Sequence, residues 1–241
     1  MMESSIGRKL DRATNQISRA VVDILKDGEI RFRHAKLPEG GQLQLKLQDA
    51  EDNTPGAGVE SDLIDIDTVG NIVVFLEATD GELWTAGAYQ YNSEDRSNSD
   101  LIIALGLPRS YELDILRLVI PEIKEACRHE LEHGVESTEV LQSAESMPEA
   151  GEQFINKSSM ISFYTLGGET AGHVTGLYKK AKDLKVPISA VVNDFLSDVY
   201  QRAIQNGMNE ADANSGTREI AETWYEYLID RYPESEKYLS F

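Results

Sequence analysis

Residues 101–133 read LIIALGLPRSYELDILRLVIPEIKEACRHELEH, and the hydrophobic period changes inside this stretch. Leu101–Leu105 is a short apolar run of the kind a buried strand carries. Beyond Pro108, the residues Ile115, Leu116, Val119, Ile120, Ile123, Cys127 and Leu131 recur at three- and four-residue intervals, the stripe of an amphipathic helix. Pro121 either opens that helix or kinks it. The point near Pro108 therefore divides a β-rich portion from a helical one, and the rest of the chain follows the same division.

Toward the N-terminus, residues 30–105 read as β-structure. Strands are expected at Ile30–His34, Gln42–Leu47, Leu63–Asp67, Asn71–Ala78, Leu83–Tyr91 and Leu101–Leu105. Asp80-Gly81 is a hairpin signal between the fourth and fifth of these, and Val69-Gly70 marks a second turn. Pro55–Gly58 and Ser93–Ser99 read as polar loops. Successive hairpins predict a mainly antiparallel sheet. Before it, Ile6, Leu10, Ala13, Ile17, Val21, Ile24 and Leu25 predict a helix from Ser5 to Lys26, with Ser4 or Ser5 as its N-cap and Gly28 just past its end.

Toward the C-terminus, residues 137–163 are polar and acidic, a connection long enough to be flexible or functional. Further helices are expected from about Leu166 to Lys185, from Ser189 to about Asn206, and from about Thr217 to Arg231. The outline is an α+β fold in a single domain spanning 1–241, with residues 1–109 forming the helix-plus-sheet part and 110–241 the helical part.

Composition bounds the function. Over 241 residues, Lys and Arg number 23 and Asp and Glu 42, so the formal charge is 23 − 42 = −19. That surplus of acid argues against a general nucleic-acid binder and against an anionic membrane surface. One Cys excludes an intramolecular disulfide and a Cys-rich metal site. No signal peptide or membrane span is evident, so a cytoplasmic location is expected.

The chain has 4 His, and three of them fall in two short segments. Ala126-Cys127-Arg128-His129-Glu130-Leu131-Glu132-His133-Gly134 contains His-Glu-x-x-His. Imidazoles at i and i+4 share one helical face, so both can meet a single Zn²⁺. Chance placement of these residue types expects roughly 0.007 such matches in a chain of this length, which makes the motif a strong signal. Helical geometry alone leaves the acid open, since Glu130 and Glu132 flank the pair at about equal angles of ~60°. The segment Gly167-Gly168-Glu169-Thr170-Ala171-Gly172-His173-Val174 repeats the i, i+4 arrangement with Glu169 and His173, either of which could reach a metal.

These two segments resemble the HExxH zinc metallopeptidases, the zincins. The resemblance implies His129 and His133 as metal ligands and Glu130 as the general base. The second segment is similar to the Glu-x-x-Ala motif of small HExxH proteins, with Gly172 where Ala is usual. On that alignment Glu169 is the third ligand and His173 a donor to the transition state. A three-His site remains the alternative. Tyr164 or Tyr178 could also donate to an oxyanion. The strand at 101–108 just before the metal helix suits the zincin arrangement, in which an exposed edge strand aligns the substrate backbone. Residues Gly176–Lys182 and Tyr227–Pro233 resemble small HExxH proteins encoded by tailed phages, which would place the protein in host cytoplasm or virion.

The implied activity is hydrolysis of a peptide bond by zinc-bound water with Glu130 as proton acceptor. The implied partner is a polypeptide substrate, with a basic one favoured by the charge of −19. An interaction protein, for example a phage particle component that retains a metal helix without turnover, is the rival reading. A hydrolase of non-peptide bonds would use the same ligands. Asp65–Gly70 opens like a calcium loop, but Val69 occupies its third acidic position, so it reads as strand and turn. Cys127 reads as a core thiol. Lys179–Lys185 reads as a solvated helix face.

Overall fold

The computed structural model of the chain describes residues 5–47, 69–136 and 156–238. These fall into two compact units divided between Val135 and Glu136. The expected strand at Leu63–Asp67, the loop at Pro55–Gly58, the calcium-like Asp65-Ile66-Asp67 and most of the acidic connection lie outside the described residues.

The first unit opens with α1 (Ser5–Lys26), as the hydrophobic stripe predicts. Leu10, Ile17, Val21 and Leu25 are fully buried, while Ile6 in the first turn is 51% exposed. Within the stripe Thr14 and Ser18 donate their hydroxyls to the carbonyls of Leu10 and Thr14, so small polar side chains are buried without an orphaned donor.

The expected strand at Ile30–His34 is instead a second helix, α2 (Gly28–Ala35). Asp27 explains the change: its carboxylate accepts from the backbone N–H of Glu29 and Ile30, a side-chain N-cap. Ile30 and His34, four apart, form the buried side of this short helix.

Four strands follow, β1 (Gln42–Leu47), β2 (Asn71–Thr79), β3 (Trp84–Gln90) and β4 (Asp100–Pro108). Their order in the sheet is β1-β2-β4-β3. β1 pairs antiparallel with β2 and β3 antiparallel with β4, but β2 and β4 run parallel, so the sheet is mixed. The hairpin expected at Asp80-Gly81 is therefore not one. The turn exists, with Gly81 at φ +103°, yet its strands are separated by β4. Burial explains the insertion: Leu101, Ile103, Leu105 and Leu107 are all 0% exposed, whereas every residue of β3 keeps some exposure. The more apolar strand takes the interior and β3 is left at an edge. Trp84, paired with Gly106, lays its indole over the space that a side chain at 106 would fill.

After β4, a 3₁₀ turn at Leu113–Ile115 leads into α3 (Leu116–His133). Pro121 lies inside this helix and is buried rather than opening it. Ile123, Cys127 and Leu131 are fully buried in the core shared with α1 and the inner face of the sheet, as the stripe predicts.

The second unit is helical: α4 (Lys157–Thr165), α5 (Gly167–Leu184), α6 (Ile188–Gln205) and α7 (Glu210–Arg231). α4, which Asn156 caps through its side chain, is a helix not expected from the sequence, and α7 starts seven residues before the expected Thr217, at Glu210 behind its Asn209 cap. The helices enclose Leu177, Val192, Val199, Ile220 and Trp224. α5 ends on Lys185 in the left-handed conformation at φ +58°, the place glycine usually takes. A non-glycine residue there costs about 1 kcal/mol. The helices and mixed sheet together make the chain α+β, the class expected. Among the described residues no helix is long and apolar enough to cross a membrane.

Candidate metal centre

The His-Glu-x-x-His segment occupies the last turns of α3. The i, i+4 spacing brings the Nε2 atoms of His129 and His133 to 3.0 Å, with the rings edge-on at 61°. Two imidazole nitrogens on a tetrahedral zinc at 2.0–2.1 Å stand about 3.3 Å apart. The pair is thus preset within a few tenths of an ångström of the spacing that zinc requires. Glu130 Oε1 lies 3.9 Å from His129 Nε2. Ligand-type atoms of His129, Glu130 and His133 all fall within 4.8 Å of one another. The residues present fit a divalent cation that accepts imidazole nitrogen.

Two buried acids flank the histidines, and their surroundings differ. Glu132, 6% exposed, receives a hydrogen bond from Arg128 Nη1. Arg128 is itself 1% exposed and also donates through Nε to Asp11 of α1 at 3.2 Å. Glu132 is thereby held in a buried ion-pair network that ties α3 to α1. Glu130, 8% exposed, instead lies against β3. A Cβ at Gly87 would meet Glu130 Cγ at 2.6 Å and Oε1 at 2.9 Å. Only glycine at 87 leaves room for that carboxylate. Gly87, a glycine inside a strand, carries the sequence signal of a close approach, and Arg128, beside the motif, carries none.

The second motif lies in the second unit. Gly167-Gly168-Glu169 forms the first turn of α5, and His173 follows one turn later. His173 Nε2 and Glu169 Oε2 are 3.6 Å apart. The His173 ring is held among aromatics, stacked on Trp224 at 5.1 Å and 27°, with Phe195 at 5.1 Å and Tyr164 at 5.2 Å between centroids. Trp224 Nε1 donates to the Tyr164 carbonyl at 2.8 Å, which fixes the indole wall. Burial pushes the Tyr164 phenol up to about 12, with the Arg202 charge opposing and the Glu169 charge adding to the shift. Tyr164 is therefore a hydrogen-bond donor throughout the neutral range.

Glu136 is a further acid here that sequence reasoning passed over. Both of its carboxylate oxygens lie 2.5 Å from where a side chain at Gly168 would begin. The paired glycines that open α5 are the available signal, because bare backbone at a helix N-terminus admits an anionic group. Tyr178, the other candidate donor, turns its hydroxyl to Glu234 at 3.0 Å. Cys127 is a buried free thiol, as expected. His34 is fully buried, with Nε2 at 3.3 Å from the carbonyls of both Leu107 and Pro108 at the end of β4, a structural role.

No protein-family model matches the chain, and no curated protein or solved structure matches it.

Proposed function

We propose that the protein is a zinc-dependent hydrolase, a metallopeptidase of the HExxH type that cleaves peptide bonds in a polypeptide substrate. The observation that carries this reading is the pair of Nε2 atoms 3.0 Å apart beside the buried Glu130 carboxylate. His129 and His133 hold the metal, and Glu169 is assigned as third ligand from the spacing of the second motif alone. Zinc in such a site acidifies water and polarises a carbonyl. Glu130 accepts the proton of the attacking water and delivers it to the leaving amine. Glu132, engaged by Arg128, is assigned no part in proton transfer. His173 and the protonated Tyr164 donate to the oxygen on which negative charge develops. The charge of −19 favours a basic or extended substrate, encountered in cytoplasm, of a host cell or virion if the chain is phage-encoded.

The test is zinc content followed by turnover. Protein purified without added metal should carry about one equivalent of zinc, and His129→Ala should lose it. Glu130→Gln should keep the zinc and lose cleavage of an unstructured polypeptide. Zinc bound by wild-type protein that cleaves nothing favours the interaction-protein reading. Zinc far below one equivalent, unchanged by His129→Ala, overturns both.

A further inference from the structure

We propose that the cavity between the end of α5 and the start of α6 binds the carboxylate of a small, otherwise apolar ligand. It encloses about 380 Å³, within the size range of small-molecule sites. The inference goes beyond the metal site and does not depend on it: Lys185 lies twelve residues along from His173, about 18 Å at helical rise.

The lining divides by chemistry. Ala181, Pro187 and Ile188 supply an apolar floor, and Ala181 and Ile188 are buried. Val186 beside them is 40% exposed, an apolar surface left open at the cavity. Tyr178 forms a wall, stacked at 3.9 Å and 12° on Tyr232 behind it. Lys182 and Lys185 bring two ammonium groups. Glu234 brings one carboxylate, which accepts the Tyr178 hydroxyl and is held below the usual range by a backbone hydrogen bond, by that hydroxyl and by Lys182. The lining residues thus carry 2 − 1 = +1 in a chain of −19. One net cation above an apolar floor suits a monoanion with an apolar body. A dianionic phosphate would leave charge unmatched.

Lys185 strengthens the case. It is the only non-glycine residue at positive φ among the described residues. Glycine would be easier there, so the fold carries a strained lysine whose side chain lines the cavity. Among the described residues Lys185 has no ion-pair partner. α6 starts beside it from Pro187, with no side-chain cap and no acid in its first turn, so that positive helix end is also uncompensated.

The carboxylate could belong to a free apolar acid or to the C-terminus of a peptide, and the experiment separates the two. Backbone amide spectra of the full chain are titrated with octanoate, octanol, the N-acetylated peptide acetyl-Ala-Ala-Leu and its C-terminal amide. One of the two acids should bind with Kd on the order of 1 mM, shifting resonances of 178–188 and 234–235, with its neutral counterpart about tenfold weaker. The tighter acid identifies the source. Lys185→Gly should weaken the acid about tenfold while raising Tm, since it relieves the left-handed strain and removes the cation together. A lowered Tm would overturn the strain argument. Equal binding of acid and neutral compound, no binding of either acid, or acid binding unchanged in Lys185→Gly would overturn the proposal.

Discussion

A methyl group at position 87 is the smallest change that reaches the proposed base. The nearest atoms to a Cβ built at Gly87 all belong to Glu130: Cγ at 2.6 Å, Oε1 at 2.9 Å and Cδ at 3.1 Å. Carbon atoms rest about 3.5–4.0 Å apart, so Glu130 Cγ must withdraw by about 1 Å. The strand cannot easily yield in its place, because Gly87 is paired across the sheet with Ile103. A displacement of about 1 Å in a catalytic group costs about 10²-fold, so Gly87→Ala should lower kcat by about that factor, ~2.7 kcal/mol of barrier. Zinc content and KM should hold, since neither histidine is among the atoms met. Overpacking of about 1–3 kcal/mol is partly offset by the ~0.4–1 kcal/mol that Gly→Ala gains through the unfolded chain. The assay is cleavage of a labelled unstructured polypeptide under saturating and limiting substrate, with zinc analysis and thermal melting of the same samples. Gly87→Ala/Glu130→Gln should be no slower than Glu130→Gln, because both changes act through one carboxylate. Full kcat in a folded, zinc-loaded Gly87→Ala protein would refute Glu130 as the base.

Two further outcomes follow from buried groups. Arg128→Met should destabilise the first unit by about 3–5 kcal/mol, because it strips the guanidinium from buried Glu132. Adding Glu132→Leu should recover most of that loss in chemical denaturation, and an equal loss in the double variant would show that the pair is not the cause. Burial raises the phenols of Tyr111 and Tyr164 to about 12 each. The protonated phenol is favoured in the folded state, so this stability is fully present below about pH 10 and lost as pH rises through about 12. Tyrosinate absorbance should show these two phenols titrating last, with Tyr164→Phe delaying alkaline unfolding of the second unit; titration of both near pH 10 in folded protein would contradict the burial argument.

Much of the fold was legible from periodicity. The helix at 5–26 is found with the expected bounds, and those expected at 166–185 and 189–206 match α5 and α6 to within a residue. The four described strands fall where alternation and turn residues placed them. Ile30–His34 misled because five residues of mixed polarity fit either period, and the deciding signal was the Asp27 cap just before them. The Asp80-Gly81 turn misled differently. A turn sequence specifies a reversal of direction, not which strand then becomes a neighbour. At the candidate site, the histidine pair was visible and its surroundings were not. Nothing local to Glu130 or Glu132 announces that one faces Gly87 and the other Arg128.

What the sequence by itself determined is everything that one helix or strand decides alone. His129 and His133 meet because 3.6 residues per turn puts i and i+4 on one face, whatever else the chain does. The tertiary structure alone decided the strand order β1-β2-β4-β3, the burial of Arg128 against Asp11 and Glu132, and the seat of Glu130 on β3. Those choices are made by burial. The most apolar strand goes inside, a buried cation must find its anions, and a carboxylate fits only where the opposing strand offers no side chain. Each depends on residues far apart in the chain, from 11 to 128 and from 87 to 130, and so becomes fixed only when the elements pack.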